Sequence, residues 1–215
     1  MTYTINVDLH CHTVTSKDST IKLDDLITQC DRKGIAKIAI TDHNKINGAL
    51  EAFSRWPGRI IPGIEIMTSQ GELLAYYVRE SVPTGLSPIE TITTLKAQGA
   101  LVSVSHPFDR FRNGGWKTPL LLELLPKLDA IEIFNSHCFS DKPNQQAASF
   151  ANKHRMSGTA GTDAHSIFEI GLAGLTLHDF NDSQGLRQAL QNAKVFGRRS
   201  NLGMRILSRL LRIMR

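Results

Sequence analysis

Apolar runs and helix-period stretches alternate along most of this chain. Residues 35–41 (Ile35-Ala36-Lys37-Ile38-Ala39-Ile40-Thr41) are apolar almost throughout, the pattern of a strand covered on both faces. Further strands are predicted at 5–7 running into Asp8-Leu9-His10-Cys11-His12, and at 59–65, 72–78, 100–105, 128–134, 158–162 and 172–177. Between them apolar residues recur at helical spacing, which predicts helices at 23–33, 48–55, 88–98, 119–125, 144–154 and 183–193. Gly34 and Gly99 close two of these stretches, as glycines at helix C-termini do. Strands that alternate with helices pair in parallel through right-handed crossovers, so the expected class is α/β.

Polar residues interrupt this pattern at one kind of place. His10 and His12, His43, Glu65, His106, His137, and Asp163 with His165 all stand at or just beyond the C-terminal end of a predicted strand. Strand alternation sends Asp8, His10 and His12 to one side and Leu9 and Cys11 to the other, so two imidazoles converge. In a closed barrel such strand ends gather on one rim. An open doubly wound sheet, with its ligand crevice at a switch point, would not collect residues from nearly every strand. Together with Asp18, from the polar loop at 13–21, these histidines and carboxylates suit Zn, Mn or Fe(II). A catalytic zinc uses about three protein ligands, so the set is large enough for two or three divalent ions. A carboxylate such as Glu65 can bridge a metal pair, an arrangement that generates hydroxide near neutral pH and neutralises charge on a transferring phosphoryl group. Asp8 and Asp42 are expected to orient neighbouring imidazoles, whereas His154 and His178 fall within or after ordinary elements and read as structural.

The set Asp8-Leu9-His10-Cys11-His12-Thr13, Ile40-Thr41-Asp42-His43, Pro62-Gly63-Ile64-Glu65, Ser105-His106-Pro107, Asn135-Ser136-His137 and Gly161-Thr162-Asp163-Ala164-His165 resembles the polymerase and histidinol phosphatase (PHP) domain family. The resemblance spans about residues 5–200 and keeps the family's order of motifs. It implies a distorted seven-stranded (β/α) barrel, TIM-like in form, that holds three divalent metals. It also implies that His10, His12, Glu65 and Asp163 hold one ion, Glu65 with His106 and His137 a second, and Asp18 with His43 and His165 the third. Of these, His10, His12, Glu65, His106 and Asp163 are the expected catalytic set. Many members read Ser-Asp-Gly after the first motif, where this chain has Ser16-Lys17-Asp18-Ser19. The chain also lacks room for the inserted subdomain of some nucleotide-cleaving relatives, which implies an open pocket built from barrel loops.

The net charge of +5 points to nucleic acid only until it is located. Residues 198–215 contain Arg198, Arg199, Arg205, Arg209, Arg212 and Arg215 and no acid, leaving 19 basic against 20 acidic side chains in the rest of the chain. A neutral body disfavours a phosphate-backbone footprint. Over 204–215 helical spacing puts Arg205, Ser208, Arg209, Arg212 and Arg215 on one arc, opposite Met204, Ile206, Leu207, Leu210, Leu211, Ile213 and Met214. Docking on the barrel, a dimer contact and an anionic membrane surface all fit such a helix, and packing against protein is preferred. The expected organisation is one barrel domain over 1–200 and a basic amphipathic helix over 201–215.

Basic residues near the same rim are the candidates for holding substrate. They are Arg110 and Arg112 in the loop at 108–116, able to clamp a phosphate in bidentate fashion, with Lys45 and Arg198. Three cysteines are too few and too odd in number for a disulfide framework. With no transmembrane stretch and no signal-peptide pattern, a cytoplasmic protein is expected. The preferred function is a metal-dependent phosphoesterase that hydrolyses a phosphomonoester, small-molecule or nucleotide, by metal-bound hydroxide. The alternatives are a nuclease or nucleotide phosphatase acting on short oligonucleotides, and a non-catalytic metal-binding module.

Overall fold

In the computed structural model, which describes residues 3–111 and 115–213, every predicted strand and helix forms. Their order is β1 (Thr4–Cys11), α1 (Leu23–Lys33), β2 (Lys37–Ile40), α2 (Asn47–Arg55), β3 (Ile60–Met67), β4 (Glu72–Tyr76), α3 (Pro88–Ala97) and β5 (Leu101–Val104). Then follow α4 (Thr118–Leu124), β6 (Ala130–Asn135), α5 (Asp141–Lys153), β7 (Ser157–Gly161), β8 (Ala173–His178), α6 (Ser183–Ala189), β9 (Lys194–Gly197) and α7 (Leu202–Ile213). Local chemistry sets several boundaries. Gly34 takes the left-handed conformation, φ 66°, that ends α1. Ser87 and Glu90 cap α3 reciprocally, each side chain accepting the other's backbone N–H.

The strands form one sheet in the order β7-β6-β5-β4-β3-β2-β1-β8-β9. Beyond β7 the chain meets β1 again. Cys11 bridges Ala164, His12 N donates to the Ala164 carbonyl at 3.0 Å and Asp163 N to the His10 carbonyl at 2.7 Å. Strands β1 to β7 thus curve into a nearly closed barrel, sealed at the rim that carries the strand-end histidines. At the other end of β1, residues Thr4 to Val7 pair with β8. The sheet therefore has nine strands rather than the expected seven, because the antiparallel hairpin of β8 and β9 extends it past the barrel.

Not every pair is parallel. β4 runs antiparallel to both β3 and β5, since the connection from Met67 to Glu72 is a tight turn tied by Thr68 and is far too short for a crossover helix. As a result the first residue of β4, not its last, lies on the rim. The register of β1 against β2 also shifts between Asp8 and Cys11, a bulge that re-aims the end of β1. Close approach at the seam requires glycine, because a Cβ on Gly161 would stand 2.5 Å from both Cβ and N of His10.

Apolar side chains from each of β1 to β8, among them Val7, Leu9, Ile61, Leu74, Tyr76 and Leu175, form one buried cluster with Leu186 of α6. A second, larger cluster joins the sheet to α1, α2, α3 and α4. Strands buried on both faces explain the continuous apolar runs.

α7 packs with the opposite polarity to that expected of an amphipathic helix. Ser208 is buried and donates to Glu169 Oε2 at 2.9 Å, and Arg205 bonds the Cys138 carbonyl. Leu202, Ile206, Leu207 and Leu210 are exposed. The barrel presents acceptors here, a carboxylate and a carbonyl, so Arg205 and Ser208 turn inward. Among the described residues no helix is long and apolar enough to cross a membrane.

Candidate metal centre

On the sealed rim the two imidazoles of β1 meet head to head, His10 Nε2 lying 3.1 Å from His12 Nε2. Asp163 Oδ1, at the end of β7, is 3.1 Å from His12 Nε2 and 3.5 Å from His10 Nε2. From β3 comes Glu65, whose Oε2 lies 3.4 Å from both of those nitrogens and 3.1 Å from His43 Nδ1. Its other oxygen accepts from Ser105 Oγ at 2.6 Å and faces His106 Nε2 at 3.1 Å. Asp18 Oδ2 stands between His43 Nε2 at 3.2 Å and His165 Nε2 at 3.3 Å. His137 joins on the Asp163–His165 side, with its Nδ1 3.2 Å from the Asp163 carbonyl and its ring 5.5 Å from that of His165. Among the described residues three groups gather ligand atoms within 4.8 Å of one another: His10–His12–Asp163, His12–His43–His165 and His43–Glu65–Glu72.

Neighbouring acceptors fix how the rings point. His10 Nδ1 donates to Glu132 Oε1 at 2.8 Å, and His165 Nδ1 to the Asp163 carbonyl at 2.8 Å. With Nδ1 engaged in this way, each ring turns its Nε2 toward the cluster, the arrangement typical of metal-binding histidines. Glu132 also accepts from His106 N at 2.7 Å and from Asn135 Nδ2 at 3.2 Å, and the same amide donates to Asp163 Oδ2 at 3.1 Å. Two of its residues hold a positive φ, 24° at His106 and 54° at Asp163.

Electrostatics bind the acids and imidazoles of the cluster tightly together. Burial opposes charge on His10, but Asp163, Glu65 and Glu132 outweigh it and hold its pKa well above the ordinary imidazole value. Burial likewise opposes charge on His43, where hydrogen bonds to Asp18 and Glu65 prevail and lift it to about 11. His12 is pushed down to about 3 by burial and by the neighbouring His43 and His165. Glu65, despite burial, is held well below the carboxylate range by His10. The carboxylates draw positive charge into the site, and protons on imidazoles are one way to supply it.

Two residues of this centre escape a reading of strand C-termini. Glu72 Oε2 is 3.6 Å from His106 Nε2 and its Oε1 3.9 Å from His43 Nδ1. The short β3–β4 turn was the available signal, since it forces β4 antiparallel and puts its first residue on the rim. Glu132 is the second, and nothing local marks it. Asp8 and Asp42, expected to orient imidazoles, bind the backbone turns instead. Asp8 accepts from His10 N at 3.1 Å and from Thr162 N at 3.0 Å, and Asp42 from Thr13 N at 2.7 Å. Burial lifts Asp8 to about 7 against the pull of Thr162.

The substrate candidates fall into different places. Arg110 is exposed and lines a cavity of about 160 Å³. Lys45 reaches the Thr15 carbonyl at 3.4 Å, and exposed Arg198 has its backbone pinned to Leu172 and Ser136. Arg199 is committed to Asp141 and the Phe139 carbonyl. Arg112 lies outside the described residues, as do Met214 and Arg215.

Comparison with known proteins agrees with this geometry. The PHP domain profile matches residues 8–93, and the PHP-associated profile residues 141–195. The uncharacterized protein MJ0417 of Methanocaldococcus jannaschii is 35% identical over 180 residues, 82% of this chain and 72% of that protein. Among solved structures, PsfC from Pseudomonas syringae is similar with a TM-score of 0.75 at 16% identity, over 98% of each chain. A two-domain protein of Bacteroides vulgatus, containing a predicted PHP-like metal-dependent phosphoesterase, is similar with a TM-score of 0.72 at 19% identity. That match covers 91% of this chain and only 65% of the longer protein. At such identities the structural likeness speaks for the fold.

Proposed function

The chain belongs to the PHP family of metal-dependent phosphoesterases, and on that premise we propose that it hydrolyses a phosphomonoester, of small-molecule or nucleotide type. The reading gives His10, His12, Asp18, His43, Glu65, His106, His137, Asp163 and His165 to two or three divalent cations, Zn, Mn or Fe(II). Glu72 is added as a further carboxylate. The observation that carries it is Glu65 Oε2, a buried oxygen on which three imidazole nitrogens converge within 3.4 Å. An arrangement of that kind has a cation's place at its centre. Oxygen and nitrogen donors without a thiolate fit such ions, and the protonated His10 and His43 hold the charge a cation would replace.

When bound, divalent cations supply a water ionisable near neutral pH and neutralise charge on the phosphoryl group. The protein's own part is to hold the donors still. Ser105 orients Glu65, Glu132 fixes the His10 ring and the His106 backbone, and the Asp163 carbonyl fixes His165. The cytoplasmic location proposed for this protein rests on its cysteine count, three being too few and too odd in number for a disulfide framework.

Glu132→Gln keeps the shape of the side chain and removes its charge, so cation affinity should fall about 10–100-fold with the far-UV spectrum unchanged. Isothermal titration with Mn²⁺ or Zn²⁺ measures this, and unaltered affinity would remove Glu132 from the positioning role. The function itself is tested by titrating metal-stripped protein with Zn²⁺, Mn²⁺ and Fe²⁺ against phosphate monoesters and diesters. Cation-restored turnover of monoesters is expected. Bound metal without turnover of any ester would favour the non-catalytic module, and turnover confined to diesters the nuclease.

A further inference from the structure

The loops that leave His106 and His137 end in two exposed phenylalanines that lie side by side. Phe111 is 82% exposed and Phe139 63%, and their ring centroids are 5.6 Å apart at 55°. Scattered exposed apolar residues need no explanation, but a pair of large aromatics in contact beside a site does. Phe139 is two residues past His137, so the chain between them reaches at most about 7 Å. The other loop is folded back on itself, Asp109 N donating to the His106 carbonyl at 3.1 Å and Phe111 N to Asp109 Oδ1 at 3.1 Å. The Phe139 backbone is therefore near His137, and the folded loop keeps the Phe111 backbone on the His106 side.

Their surroundings are cationic and polar. Arg110, Lys142, Ser140 and Gln146 line the cavity of about 160 Å³ beneath Phe111. Through Phe108, Lys142 and Gln146 it continues into a groove of about 540 Å³ along α5 that ends at Lys153. Among the described residues no acidic side chain lines either one. On the far side, the Arg205 guanidinium sits 5.9 Å from the centre of the Phe139 ring.

We propose that Phe111 and Phe139 form a stacking platform for the heteroaromatic base of a nucleotide whose phosphate occupies the metal rim. The inference rests on the phosphoesterase reading and names its substrate class. Two exposed rings tilted at 55°, with cations nearby, fit a base joined to an anionic phosphate, one ring stacking on its face and the other meeting its edge, whereas a sugar phosphate or an alkyl phosphate has no π face to stack. Gln146 and Ser140 supply hydrogen-bonding groups for the polar edge of a base. Arg110 and Lys142 meet its phosphate side.

The test compares binding of two non-hydrolysable ligands to the metal-loaded full chain by isothermal titration, the 5′-phosphonate analogue of adenosine monophosphate and the matching ribose 5-phosphonate. The adenosine analogue should bind about tenfold more tightly. The exposed double variant Phe111→Ala/Phe139→Ala should bind the two alike, and Phe139→Trp should retain the preference. Equal affinities in the unaltered protein, a preference that survives the double substitution, or no binding of the adenosine analogue would each overturn the platform. Failure of the two readings is separable. Hydrolysis of esters without base preference leaves the phosphoesterase standing and removes the platform, while base-dependent binding with no ester hydrolysed does the reverse.

Discussion

Glu65→Gln should reduce cation-dependent phosphoesterase turnover by about 10³-fold in kcat/KM, the scale of losing one preorganised electrostatic contact at a reacting centre. The reason lies in how many partners share this one side chain. Its Oε2 faces His10, His12 and His43, and its Oε1 faces His106, so one side chain touches groups from β1, from the end of β2 and from the end of β5. An amide of the same shape has half the acceptor capacity and turns an N–H toward nitrogens that must present lone pairs. Cation content should fall with turnover, which elemental analysis would record. A variant that keeps full kcat/KM, or full metal content, would show that Glu65 is not the shared ligand. Circular dichroism checks that the fold is retained, as expected for an isosteric change.

Removing the cations should cost the protein much of its thermal stability. Ions that bind only the folded chain stabilise it by about 2.7 kcal/mol at a hundredfold excess over Kd. For a chain of this length about 2–4 °C of Tm accompanies each kcal/mol, so adding Mn²⁺ or Zn²⁺ to stripped protein should raise Tm by about 5–10 °C. The buried carboxylates of Glu65 and Asp163 make the direction firm. Without a cation their charge is balanced by protonated imidazoles, and burying charge is costly unless it is closely paired. Scanning calorimetry of stripped and reloaded protein decides this, and an unchanged Tm would place the metals outside the folded core.

How far the sequence could be read differs from element to element. Gly34 announces the end of α1 because a left-handed residue there is a local requirement, and the apolar runs announce strands because burial on both faces leaves no polar alternation. The motif histidines are legible for a related reason. A barrel turns a local feature, the end of a strand, into a shared location. The direction of β4 was legible in principle from the five-residue step between Met67 and Glu72, yet its consequence for Glu72 emerges only once the whole rim is assembled.

What the sequence by itself determined is therefore the kit of parts: alternating strands and helices, histidines and acids at strand ends, and an arginine-rich final helix with two unlike faces. The tertiary structure decided the rest. It paired His10 with Glu132, 122 positions away, sent Asp8 and Asp42 to backbone turns, added β8 and β9 beyond the barrel, and turned Ser208 of α7 inward. Local patterns reflect each residue's own burial and backbone geometry. Which acceptor a given donor meets across the barrel depends on closure of the sheet, and no short stretch of chain carries that information.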